Sequence, residues 1–122
     1  MSGVLKQAVK LSGVIHWAKG SPDDAFDVPV PRAILRGDSL VISSHTRNAS
    51  YEIQLRRVEG DRFQGTATGE YQGNSATAEV TAALYSNDRG YAMVGRWVEH
   101  CEEWRWWAEL RVVERFEDEA GE

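Results

Sequence analysis

The stretch Glu103-Trp-Arg-Trp-Trp-Ala-Glu-Leu-Arg-Val-Val-Glu-Arg-Phe116 limits the fold more than any other part of the chain. Six of its seven even positions are apolar: Trp104, Trp106, Ala108, Leu110, Val112 and Phe116. Of the seven odd positions only Trp107 and Val113 are apolar, the rest being Glu103, Arg105, Glu109, Arg111 and Arg115. On a helix advancing about 100° per residue the same apolar residues scatter around the circle and form no stripe. On a strand, where successive side chains point to opposite faces, they make one greasy face and one charged face. Glu, Arg, Ala and Leu are good helix formers, but here the period outweighs propensity. The run reads as a long strand.

Similar segments, separated by turn signals, fill the chain from residue 32 onward. Arg32–Arg36 ends at Gly37-Asp38, and Ser39–Ser44 closes at Arg47-Asn48. Tyr51–Val58 sets Tyr51, Ile53 and Leu55 against Glu52, Gln54 and Arg56, and Gly60-Asp61 after it is a tight-hairpin signal. Arg62–Tyr71, Ala76–Leu84 and Tyr91–Val98 continue the pattern, with Gly73-Asn74 and Ser86–Gly90 as turns. Gly13–Lys19 reads as a further strand. The loop Ser21–Pro31 holds all three prolines and is expected to lack a regular strand. Met1–Leu11 fits a helical turn or a tail. Seven to eight strands at a spacing of about ten residues predict an all-β fold, an antiparallel up-and-down meander closing into a small barrel. Closure removes exposed edges. A two-sheet β-sandwich is the alternative, less favoured because most links look like hairpins rather than crossing connections.

A length of 122 residues suits one core, so a single domain over residues 1–122 is expected, with the acidic tail Glu117–Glu122 as a solvated, frayed terminus. The net charge of −5, with no Lys or Arg run, argues against a phosphate-backbone partner and hence against nucleic acid. Cys101, the sole cysteine, cannot form an internal disulfide. Neither an N-terminal apolar leader nor an apolar stretch of bilayer-spanning length is present, which sets the expectation of a cytoplasmic protein with no membrane partner.

At Gly95-Arg96-Trp97 the chain reaches a resemblance. Gly-x-Trp on a strand of a small meander barrel rich in tryptophan resembles the calycin group: lipocalins, fatty-acid-binding proteins and avidins. The resemblance covers Leu11 to Phe116 as an architecture and implies a barrel with an internal cavity. Calycins carry Gly-x-Trp on the first strand; here it falls on the penultimate one, and the first strand has Gly13-Val14-Ile15-His16-Trp17.

Candidate residues follow from the faces. Gly65, Ala67, Gly69, Ala76, Ala78 and Ala82 make an unusually small inner face, opposite a large one of Trp97, Trp104 and Trp106 with Tyr91 and Met93. Such faces meet either to fill space or to leave a volume walled by aromatics. In the second case Trp97, Trp104, Trp106, Tyr51, Tyr71 and Arg57 are the ligand-binding candidates, Arg57 snorkelling near a rim. The leading expectation is a non-enzymatic binding protein for a small, partly apolar or aromatic ligand, without a cofactor. The alternative is an interaction module, homodimeric or with another partner, whose surface is Trp107 with Arg105 and Arg111, and Val113 and Trp17 as neighbours. A weaker third reading, a cofactor-free barrel enzyme, needs His16, Glu99 or Arg57 in a cavity. His16 is expected inside the barrel as a core histidine. The adjacent His100 and Cys101 and the acids Asp23, Asp24 and Asp27 lack the spacing of a metal site.

Overall fold

The computed structural model describes residues 5–18, 26–45, 49–71, 73–99 and 101–119. Eight antiparallel strands form one closed barrel in chain order: β1 (Leu5–Ala18), β2 (Phe26–Arg36), β3 (Ser39–His45), β4 (Ala49–Glu59), β5 (Arg62–Tyr71), β6 (Asn74–Ser86), β7 (Gly90–Glu99) and β8 (Glu102–Glu119). The sandwich alternative is thereby excluded. β1 and β8 close the barrel along a seam that runs from Leu5↔Glu119 to Ala18↔Arg105.

Each strand sends one set of side chains inward, and the core holds Leu11, Ile15, Val30, Leu40, Ile42, Ile53, Phe63, Val80, Met93 and Trp106, all at most 2 % exposed. Burying a side chain of this size stabilises by about 1.5–3 kcal/mol before the entropy of ordering it is deducted. The outer face carries charge (Glu52, Arg56, Glu79 and Arg96 among the exposed residues), the reverse of a lipid-facing barrel.

The two ends of the barrel differ. At the end where β3, β5 and β7 begin, each tight turn is tied to the strand beyond its own hairpin. Arg57 N–H donates to the Asp38 carbonyl at 2.7 Å, Leu84 N–H to that of Asp61 at 2.9 Å, and Val112 N–H to that of Arg89 at 3.0 Å. Gly37 and Gly60 open two of these turns with φ of 61° and 54°, a left-handed conformation that a Cβ would strain. This end is the floor. The other end, where β1, β3, β5 and β7 finish, is the mouth.

Four expectations are corrected. The described part of the proline-rich segment is strand: β2 starts at Phe26 and includes Pro29 and Pro31, while 21–25 lie outside the described residues. Its ladder to β3 begins only at Arg32, so Pro29 and Pro31 stand where no β3 partner demands an N–H. Pro31 and Arg32 together oppose Ser12 between the pairs Leu11↔Ala33 and Gly13↔Val30, a bulge that tolerates proline. The N-terminal segment is neither helical turn nor tail from Leu5 onward, because it pairs with both β2 and β8. The acidic tail is not frayed throughout: Glu117, Asp118 and Glu119 pair with Gln7, Lys6 and Leu5. Phe116 also leaves the apolar face assigned to it. A register shift leaves Val113 with no β1 partner, so Phe116 pairs with Ala8 while core Val9 faces Arg115.

Candidate functional site

The small inner faces are where rings lie. Trp106 on β8 pairs with Gly95 on β7, and its indole crosses that glycine so that Nε1 donates to the Thr81 carbonyl of β6 at 3.0 Å. A Cβ on Gly95 would stand 1.9 Å from that oxygen and 2.7 Å from Nε1. The first residue of Gly95-Arg96-Trp97 is therefore glycine to let a neighbouring indole pass. Gly69 acts likewise, since a Cβ there would meet Tyr51 Cδ1 at 2.8 Å. Small and large faces thus interlock, and Trp106, 1 % exposed, plugs the barrel instead of lining an open volume.

What remains open is the mouth. Trp17, Tyr51, Trp97, Trp104 and Glu99 surround a cavity of about 80 Å³. Trp17 and Trp97 meet edge to face, with centroids 5.3 Å apart and planes at 88°; Tyr51 stands against Trp97 at 5.8 Å and 79° and against Trp17 at 6.0 Å. Trp106 supports Trp97 from below at 6.1 Å. Such edge-to-face pairs hold one another in fixed orientations. Trp97 Nε1 donates to Glu99 Oε1 at 3.0 Å, which fixes a carboxylate among the rings. Trp17 and Trp97 are 3 % exposed, while Tyr51, Trp104 and Glu99 are half-buried at the rim.

Of the ligand-binding candidates, the mouth brings together Trp97, Trp104 and Tyr51. Trp106 lies beneath it. Tyr71 pairs through its backbone with Ala49 and Asn74 at this end, and its side chain lies outside the described ones. Arg57 stands at the floor, where it bonds Asp38 Oδ1 at 3.0 Å and the Gly60 carbonyl at 2.5 Å, its guanidinium 4.8 Å over the Phe63 ring. It closes the barrel from below and is not part of the aromatic group.

Trp17 and His16 each lie on the side opposite to the one expected. Trp17 is an inner wall of the mouth, and His16 is the residue beside Trp107, stacked on it at 5.3 Å and 17° on the outer surface. The signal was in the sequence: Ile15 and Trp17 share one parity and Val14 and His16 the other. Glu99 bears on the enzyme reading in that it borders the mouth; His16 and Arg57 do not.

On the outside, a broad open groove of about 1000 Å³ runs beside the β6–β7 turn, bordered by Val14, His16, Pro29, Arg89, Glu109 and Arg111. Arg105 is exposed and lies opposite Arg96, which forms an exposed forked pair with Glu103 at 2.7–2.9 Å. Cys101 is exposed in the β7–β8 turn. Among the described residues no three His, Cys, Asp or Glu side chains cluster as metal ligands. Asp23, Asp24 and His100 lie outside the described residues, as does the side chain of Asp27. No helix among the described residues is long and apolar enough to cross a membrane. No protein-family model, curated protein or solved structure matches the chain.

Proposed function

We propose that this protein is a calycin-like binding barrel that grips one end of a small, partly apolar molecule in its aromatic mouth. The observation that carries the reading is the convergence of three indoles, one phenol and one carboxylate on a single cavity at the open end. Pockets that enclose a whole drug-sized ligand run to about 300–1,000 Å³. At about 80 Å³ this one suits a head group or a single small ring, with the rest of the ligand outside. The deep central site expected from the inner faces gives way to a shallow one, because Trp106 fills the centre.

Titrating tryptophan fluorescence with a panel of small aromatic, alkyl and amine probes tests the reading. Saturable changes that Trp104→Leu weakens are expected. A flat response across the panel, with native mass spectrometry showing no retained molecule, refutes it.

A second reading is favoured by one observation on the outer face. Trp107, packed flat on His16, pairs across the sheet with Val94, which is 52 % exposed. Aromatic residues and arginine dominate interface anchors, and Arg105 and Arg111 flank this indole along β8. In this reading the surface joins two copies of the chain. Sedimentation velocity should then show a dimer that Trp107→Ala or Val94→Arg dissociates without loss of β-sheet; a monomer at all concentrations discards it.

A further inference from the structure

We infer that the head group held in the mouth is a methylated ammonium cation, an inference that rests on the proposed binding role and names its ligand class. The π-face of an aromatic ring is its negative side, and a cation over it is attracted electrostatically, most strongly by indole. Here Trp17 and Tyr51 each stand nearly perpendicular to Trp97 and 40° from one another, so ring surfaces bound the cavity from different directions, and Trp104 adds a fourth. Walls of this kind suit a roughly spherical ligand with positive charge spread over methyl groups. A flat neutral ring would favour two parallel faces instead.

Glu99 decides the sign of the charge. Among the described residues its carboxylate, oriented by the Trp97 N–H, is the one acidic group bordering the cavity, and neither Lys nor Arg borders it. Covering a carboxylate with a neutral apolar ligand removes water from it without compensation, whereas a cation supplies the missing partner. An anion would meet the carboxylate head-on. A primary ammonium is strongly hydrated and would need hydrogen-bond acceptors on several sides. A methylated ammonium sheds water more readily and presents methyl groups to the rings. The cavity volume, about 80 Å³, suits a single such group.

The test compares choline with 3,3-dimethyl-1-butanol, its uncharged carbon counterpart, by tryptophan fluorescence and by a fluorophore attached to Cys101 in the β7–β8 turn. Free Nε-trimethyllysine carries the same cation on a different stem, and its affinity relative to choline tells which stem the rim admits. Choline or trimethyllysine should bind at least about tenfold more tightly than the alcohol. E99Q keeps an oxygen to accept the Trp97 N–H, so the fold is retained, and it should remove most of that preference by weakening the cations while the alcohol, no longer covering a carboxylate, binds at least as well. Y51L, at the half-buried rim, should weaken the cations more than the alcohol. Equal or stronger binding of the alcohol overturns the inference and leaves the binding role standing. Binding of neither class, with the alkyl and aromatic probes also silent, overturns both. A cation preference unchanged by E99Q overturns the part assigned to the carboxylate.

Discussion

Trp106→Phe measures what the plug at the centre of the barrel contributes. The substitution keeps a six-membered ring but removes the N–H that reaches Thr81, along with two ring carbons. The Thr81 carbonyl then loses its indole donor in a part-buried contact, on the side that faces the emptied space left by the 1 % exposed Trp106. Leaving a buried polar group unpaired costs about 1–3 kcal/mol. Two buried carbons at about 0.8 kcal/mol each add about 1.6 kcal/mol. The expected loss is therefore about 3–4 kcal/mol, a large part of the stability usual for a domain of this size. In thermal terms it is a fall in Tm of roughly 10–15 °C. Urea unfolding followed by far-ultraviolet circular dichroism is the suitable assay, because the substitution itself alters fluorescence. The midpoint should fall with the slope m unchanged. A loss below about 1 kcal/mol would refute the reasoning, since it would mean that the Thr81 carbonyl had found another donor and the core had closed around the smaller ring.

Gly95→Ala should destabilise at least as much, by about 3 kcal/mol or more, because the new Cβ would meet the Thr81 backbone oxygen at 1.9 Å and backbone cannot swing aside; a soluble variant with native Tm contradicts this. Ser44→Ala removes a buried hydroxyl whose Oγ donates to the Pro29 carbonyl at 2.9 Å, beyond the point where the β2–β3 ladder stops. Its expected loss in urea unfolding is about 1–2 kcal/mol, with no change expected in choline affinity. Cys101→Gly should raise stability by up to about 1 kcal/mol, since Cys101 sits at φ 64° where an L side chain is strained; a lowered urea midpoint would count against that account. Arg96→Ala should shift stability by less than about 1 kcal/mol despite its forked pair with Glu103, both side chains being more than half exposed.

Alternation made most of the barrel legible. Arg62–Tyr71 coincides with β5, and the other segments from Ser39 to Phe116 fall within observed strands, since the register shifts at Val58 and Val113 lie close to segment ends and leave the alternation before them intact. The reading failed where a bulge changes parity. Val28 and Val30 face the core on even positions and Ala33 and Leu35 on odd ones, so β2 shows no single alternation in sequence. Two prolines in the same stretch then made a loop the natural choice. The site was legible in part. Trp97, Trp104 and Tyr51 could be placed on inner faces by parity. Depth along the barrel could not, because parity says which face a residue is on and not which end. Trp106 and Arg57 were thus grouped with residues that lie at the mouth. Equally, no composition rule shows that Gly95 and Gly69 serve as passages for rings; that depends on which strand lies alongside, and on the register between them.

The seam between β1 and β8 also shapes how the chain reaches this state. Every other ladder joins neighbours in sequence and can form as a hairpin, soon after its residues leave the ribosome. The seam joins Leu5 to Glu119, so nearly the whole chain must be made before its longest edge is covered. Until then β1 presents an unpaired edge, the kind of surface from which strand exchange and aggregation start. Lys10 on that edge, opposite Glu114 in the finished barrel, is the wrong charge for a second copy of β1 and the right one for β8. Charge on the last strand thereby helps an open sheet distinguish the strand that completes it from another copy of its first.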